Sequence, residues 1–361
     1  MIPRWKIRLF WTLVFSALIS GAIKILDRPE PGLNFLPTAK EFNDYSQKEA
    51  LKFSIYQVLF DYGIRVDWLA GDSRYKTVRI PADLPLTEPY VDLLFNIRNL
   101  GGQLLKAETN PKGDKMVIEV GLNDEALFQL TLVSDASLKR VGGKIAIVID
   151  DFGYVFSSLV KQFLNLNHKI TYAILPGLQF SKEIADTAFK KNREIMIHMP
   201  MEPKNGKVKK DDYILLTSMS EQEIRERLRK AISAIPHAQG LNNHMGSLAT
   251  ENSQLLQVAM DEIKKAGLFF LDSRTDFKTL AYSWAQKMAV PCSINDTFLD
   301  RIQEEPFIRQ RLYLLAEIAS KNGQAIGIGH PNKWTLKVLQ EELPKLERKG
   351  FKFVNISKVV K

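Results

Sequence analysis

From Lys144 onward, apolar runs of strand length recur at 145–149, 169–175, 194–199, 267–271, 289–294, 325–329 and 351–356, and helical patterns separate most of them. Strands that alternate with helices pair in parallel, because each return to the sheet needs a crossover. Some seven such units over 144–361 predict a closed βα barrel, with a doubly wound open sheet as the other solution. The first run, Lys144-Ile-Ala-Ile-Val-Ile, ends in Asp150-Asp151-Phe-Gly153. Two adjacent carboxylates at the end of a doubly buried strand need a cation or a shared proton. Alternatively, Asp151 caps the next helix and Asp150 faces water.

Before this region the pattern differs. Residues 46–135 read as a small α+β domain: helices near Gln47–Tyr62 and Glu88–Leu100, and strands near 65–69, 75–80, 103–108, 115–120 and 127–133. The order resembles a duplicated αββ unit. It contains no histidine and no catalytic constellation, so a binding or spacing role is expected, with an envelope protein as partner. Gly142-Gly143 marks the boundary, and Pro29, Pro31, Gly32 and Pro37 make 27–45 an extended linker.

The N-terminus carries Arg4, Lys6 and Arg8 ahead of the apolar stretch Leu9–Ile23. That is the arrangement of a signal peptide or signal anchor over residues 1–26. The positive-inside rule then places the N-terminus in the cytoplasm and the remainder outside, periplasmic or at the cell surface, with membrane contact through this segment. The chain is basic, with 50 Lys and Arg against 41 Asp and Glu. The charge is dispersed and no aromatic–basic interleaving occurs, so nucleic acid is not expected as a partner. Cys292 stands alone, which excludes an internal disulfide and a thiolate metal site.

In a βα barrel, chemistry sits where strands end. The residues there are Asp150 and Asp151, His198, Asp272, Asn295 and Asp296, and His330; His244, in Gly240-Leu-Asn-Asn-His-Met-Gly246, ends a segment where another strand belongs. Asp151, His198 and His244 form a carboxylate–imidazole set suited to zinc or a similar divalent ion. Glu202 follows His198 by four residues, as a further ligand or as an acceptor behind a histidine. His168 precedes a strand and His237 follows a helix, so neither joins the set. The absence of Gly-x-Ser-x-Gly weighs against a serine hydrolase.

Ile149-Asp-Asp-Phe-Gly153, His198-Met-Pro-Met-Glu-Pro203, Asn242-Asn-His-Met-Gly-Ser247, Phe270-Leu-Asp-Ser-Arg-Thr275 and Ile326-Gly-Ile-Gly-His-Pro331 occur in the order of the polysaccharide deacetylases, carbohydrate esterase family four. The segment from 144 to 358 resembles their divergent branch. The resemblance implies a distorted (β/α)7–8 barrel and a metal-assisted deacetylase with Asp150 as base, Asp151 as a ligand and His330 as acid. This sequence departs from the main family twice. Glu202 stands where a second histidine of His-x-x-x-His is usual, and Asn242-Asn-His-Met-Gly replaces Arg-x-Pro-Tyr, so that His244 completes a rearranged metal set. The expected reaction removes an acetyl group from an envelope glycan, with Asp272 holding His330. Two other readings compete: a non-catalytic glycan-binding or envelope-assembly module with a retained metal cleft, and a glycosidase using Asp150 and Asp272.

Overall fold

Two sheets with separate hydrophobic cores organise the chain. The computed structural model describes residues 39–140, 142–205 and 212–361. The proposed signal segment, 1–26, lies outside them, as does most of the linker. Residues 39–45 of that linker are helical: α1 spans Ala39–Asp61, beginning before the expected Gln47. No helix among the described residues is long and apolar enough to cross a membrane.

The first sheet holds β1 (Leu69–Gly71), β2 (Tyr75–Pro81), β3 (Gln103–Thr109), β4 (Lys115–Leu122) and β5 (Glu125–Asp135), in the order β1-β2-β5-β4-β3. The run expected at 65–69 is instead a turn of 3-10 helix at Val66–Trp68, followed by β1. Helix α2 (Thr87–Asn99) lies between β2 and β3. Its Leu93 and Ile97 share a core with Leu51 and Ile55 of α1 and with Val78, Ile118 and Leu130 from the strands.

The second sheet has nine strands, and every pairing recorded in it is parallel. They are β6 (Lys144–Phe152), β7 (Thr171–Ile174), β8 (Glu194–Met201), β9 (Gly240–Met245), β10 (Phe269–Asp272), β11 (Cys292–Ile294), β12 (Thr297–Phe298), β13 (Gln324–Gly329) and β14 (Lys352–Val354). The order is β11-β10-β9-β8-β7-β6-β13-β12, with β14 beside the start of β6. Cys292–Ile294 pairs with β10 and Thr297–Phe298 with β13, so one short run of chain serves both ends of the curled sheet. Helices α3 (Ser158–Leu164), α4 (Ser181–Lys190), α5 (Glu221–Ala234), α6 (Ser253–Lys265), α7 (Ala281–Lys287), α8 (Glu305–Asn322) and α9 (Lys333–Arg348) occupy the crossovers. The expected capping box of Ser220 and Glu223 opens α5, and Gly267, at φ 68°, follows the end of α6.

Alternation along the strands assigns the two faces. Ile145, Ile147 and Ile149 of β6, Ile195 and Ile197 of β8, Leu241 of β9 and Phe270 of β10 belong to the large core that includes the helices. Ala146 and Val148, Met196, Leu271, and Ile326 and Ile328 form a smaller inner core with Ile356 and Val359. Leu51–Lys361 is one compact unit. Arg140 ties its parts together, donating to Asp83 Oδ2 at 2.8 Å and to the Arg348 carbonyl at 2.8 Å.

Candidate metal centre

Extending the inner-face parity to the strand ends yields the site. On β6 the inner positions are 146, 148 and 150. On β8 the position after 196 is 198. On β9 they are 242 and 244, and on β13 the position after 328 is 330. Asp150, His198, Asn242, His244 and His330 therefore converge on one face from four strands. His198 is the register partner of Asn242, and Pro200 of His244.

Asp151 breaks the alternation, and the backbone shows why. The β6–β7 register shifts between Ile149 and Phe152, and Asp151 has φ 61°. Phe152 returns to the helix-covered core. The bulge thus inserts one residue and lets two successive carboxylates serve the inner face. Asp tolerates a left-handed backbone better than most residues, which suits it to this position. Met245, after His244, and Arg274, after Ser273, also have positive φ, at 52° and 54°. Backbone strain therefore gathers at three strand ends around one site.

The donors form a tight triangle. Asp151 Oδ1 lies 3.2 Å from His198 Nε2 and 3.1 Å from His244 Nδ1, and the two imidazole nitrogens are 3.1 Å apart. Among the described residues these three form the one group arranged to hold a metal ion. Zinc ligands at about 2.0–2.1 Å in tetrahedral directions stand about 3.3 Å from one another, so the spacing fits. The chemistry fits as well. His198 Nδ1 lies 2.9 Å from Asn242 Oδ1, which accepts its proton and leaves the Nε2 lone pair facing the triangle. Asp151 Oδ1 is buried and has no hydrogen-bond partner. Lone pairs this close repel unless a proton or a cation lies among them.

Two further groups flank the triangle. Asp150 is 2 % exposed. Its Oδ1 accepts from Asn242 Nδ2 at 2.9 Å, while Oδ2 lies 3.6 Å from His198 Nε2. Burial raises its carboxyl above the usual range, against the pull of His198 and His330. Burial also works to raise Asp151, but the His198 and His244 imidazoles outweigh it and bring that carboxyl below the usual range. On the other side, His330 Nε2 lies 4.0 Å from Asp151 Oδ2, and Nδ1 lies 2.8 Å from Asp300 Oδ1. Burial opposes the charged ring, yet the Asp300 bond and charge prevail and push it up to about 9.

Asp272 does not hold His330. By parity it lies on the face of Phe270, not on the inner face, and its oxygens are committed to its own loop. Oδ1 accepts from Arg274 N at 2.8 Å; Oδ2 accepts from Thr279 Oγ1 at 2.8 Å and Tyr282 N at 3.1 Å. The same placement removes the Asp150–Asp272 pair on which a glycosidase reading depends. The carboxylate behind His330 is Asp300, whose Oδ2 also takes the His330 N–H at 2.6 Å and the Thr335 hydroxyl at 2.7 Å. Glu202 is likewise not a ligand. Its Oε2 accepts from Thr217 N at 2.7 Å and Thr217 Oγ1 at 2.6 Å, and His198 Nδ1 takes Asn242 instead. His168 pairs with Glu347 at 3.2 Å, and His237 stacks on Phe189 with ring centroids 3.8 Å apart. Asn242 and Asp300 are site residues that the sequence pattern does not single out. Asn242 shares the period of His244, and Asp300 ends the short apolar run Thr297-Phe-Leu299.

The sequence profile of the divergent polysaccharide deacetylases matches residues 147–360. The uncharacterized protein YibQ of Escherichia coli K12 is 38 % identical over 201 residues, covering 56 % of this chain and 62 % of that protein. The chain thus spans less than two thirds of YibQ. A Haemophilus influenzae protein is 34 % identical over 231 residues, 64 % of this chain and 81 % of its own length. The crystal structure of an uncharacterized protein from Agrobacterium tumefaciens C58 superposes with a TM-score of 0.58 at 24 % identity, covering 61 % of this chain and 89 % of that one; the likeness is one of fold. With more than half its length matched by the profile, the chain belongs to the divergent polysaccharide deacetylase family.

Proposed function

We propose that the chain is a metal-dependent deacetylase acting on an acetylated envelope glycan, exported by an N-terminal segment that either anchors it at the membrane or is removed. The observation that carries this reading is the triangle of Asp151, His198 and His244 with the Asp150 carboxylate on one flank and the His330 imidazole on the other. A divalent ion held there, with zinc favoured by the nitrogen-rich donor set, would supply Lewis acidity toward an acyl oxygen and lower the pKa of a water.

The chain's own groups divide the proton work. Asp150 Oδ1 is committed to Asn242, so Oδ2 is the oxygen free to take a proton from the attacking water. His330 gives its Nδ1 proton to the Asp300 bond and presents Nε2 to the site. Held charged by Asp300, it can deliver the Nε2 proton to a departing amine or alcohol. Both groups titrate above their ordinary values: the rise strengthens Asp150 as a base and keeps His330 protonated for its role as acid.

The test is metal content and acetate release measured on one preparation of the chain. Stoichiometric zinc with acetate released from an acetylated glycan supports the reading. Zinc without turnover on any acetylated glycan leaves a binding module in its place, and activity indifferent to chelators removes the metal from the mechanism.

A further inference from the structure

Arg274 and Arg301 are exposed, and neither guanidinium donates to an oxygen of the protein among the described residues. Every other arginine between Lys144 and Lys361 does so: Arg225 binds Asp261 and Glu262, Arg311 the Phe298 carbonyl, and Arg193 the carbonyls of Leu164 and His168. The two exceptions follow β10 and β12, at the end of the sheet that carries the triangle.

Each stands beside an aspartate whose oxygens are hydrogen-bonded to groups other than the guanidinium. Asp272 spends its oxygens on the backbone of Arg274 and Tyr282 and on the Thr279 hydroxyl. Asp300 spends its own on His330, Asn332 and Thr335. The acids thus fix the loops and form no hydrogen-bonded ion pair with either guanidinium, although Asp272 and Asp296 lie close enough to Arg274 to feel its charge.

Both arginines are coupled to the site by geometry. Arg274 has φ 54° and follows Ser273, whose Oγ accepts from Asn242 at 3.1 Å. A left-handed arginine is costly, and the Asp272 bond to its N–H maintains it. Arg301 lies over the Phe298 ring, 4.9 Å from its centroid, and the other partner of that ring is His330, stacked at 9° with centroids 6.4 Å apart. The guanidinium is therefore one aromatic ring away from the acid.

We propose that Arg274 and Arg301 are substrate-binding residues, and that the site takes an anionic glycan bearing a carboxylate or phosphate near its acetylated group. An exposed, unpaired guanidinium presents a planar fork that matches either oxyanion with two hydrogen bonds. This deepens the deacetylase reading and rests on it for the bond that is cut, not for the anion that is held.

The experiment titrates the zinc-loaded full chain with three oligomers of equal length. One is neutral N-acetylglucosamine, one alternates N-acetylglucosamine with glucuronate, and one is N-acetylglucosamine carrying phosphomonoesters. Calorimetry measures binding at low and physiological salt, and acetate release is followed in parallel. The wild type should prefer one anionic oligomer to the neutral one by about tenfold or more, with the preference shrinking as salt rises. Whether glucuronate or phosphate wins identifies the source of the oxyanion. Arg274→Gln and Arg301→Gln should each cut the preference about tenfold, whereas Arg274→Lys and Arg301→Lys should cut it less. Retained zinc in each variant reports an intact site. Equal binding of all three oligomers, or a preference that survives both glutamine substitutions, overturns the proposal. An arginine-dependent preference with no acetate from any oligomer upholds it while removing the deacetylase reading. Acetate release with no such preference does the reverse.

Discussion

Asn242 Oδ1 accepts the His198 Nδ1 proton at 2.9 Å. The same amide donates from Nδ2 to Asp150 Oδ1 at 2.9 Å and to Ser273 Oγ at 3.1 Å, so it cannot turn over without losing three bonds. One side chain thereby fixes which nitrogen of His198 faces the triangle and which oxygen of Asp150 stays free. Asn242→Ala should weaken zinc binding about 10–100-fold, the usual cost of removing the group behind a metal-bound imidazole. Competition with a chromophoric chelator measures it. Unchanged affinity would mean that something other than Asn242 sets the ring.

The paired aspartates should separate in function. Asp151→Ala removes a vertex of the triangle and should abolish stoichiometric zinc together with turnover. Asp150→Asn is nearly isosteric, and should keep zinc while cutting kcat about 10²–10⁴-fold, the range of a general base. Metal analysis and acetate release on both variants check this. Zinc lost from Asp150→Asn to the same degree as from Asp151→Ala would make Asp150 a ligand instead of the base.

Much of this site is legible as strand-end chemistry. The hydrophobic period marks Asp150, His198 and His330 at strand ends, His244 is reached only because another strand belongs between two helices, and in the structure alternation brings all four to one face. What the pattern hid was local. Asp272 ends its strand as conspicuously as Asp150 does, but β10 enters the sheet with the opposite parity, so it faces its own loop. Glu202 lies after Pro200, where no periodicity fixes a direction, and Thr217 claims it. Asp300 follows the two residues of β12, too short a strand to be read from hydrophobicity. The bulge that lets Asp151 join Asp150 leaves no periodic trace, although the adjacent acids are its residue.

Asp300 should set the alkaline limit of the reaction. His330 is pushed up to about 9, with the Asp300 bond and charge overcoming a burial that works the other way. An acid is useful only while protonated, so activity should persist below that value and fall as pH rises through it. Asp300→Asn removes the charge, and the alkaline limb of kcat against pH should move down toward the ordinary histidine range, near 6.5. An alkaline limb that does not move would assign it to another group.

Export is a separate expectation, motivated by the basic residues ahead of Leu9–Ile23. A phosphatase reporter that matures only outside the cytoplasm, fused after Lys361, should be active. It should lose activity when Leu13 and Val14 are both replaced by Arg, since charges in the apolar stretch block insertion. Activity of a cytoplasm-restricted reporter at the same junction would reverse the topology.

The glycine pair that marks a change of pattern in the sequence is, in three dimensions, a packed seam. A Cβ on Gly143 would lie 2.2 Å from the Ala319 carbonyl oxygen, and one on Gly142 would lie 2.1 Å from that of Gly350. Both obstacles are backbone, so neither can swing aside as a long side chain would. Nearby, Arg140 bridges Asp83 and the Arg348 carbonyl, so the connecting chain is held from both sides. Gly143→Ala should therefore cost about 1–3 kcal/mol, the range for overpacking, and lower the melting temperature. The segment between Asp135 and Lys144 should resist limited proteolysis in the wild type and become cleavable in the variant, because forcing the seam apart frees the chain that a protease must bend. Equal cleavage of the two proteins would mean that this segment is already detached, and that the glycines mark a flexible joint.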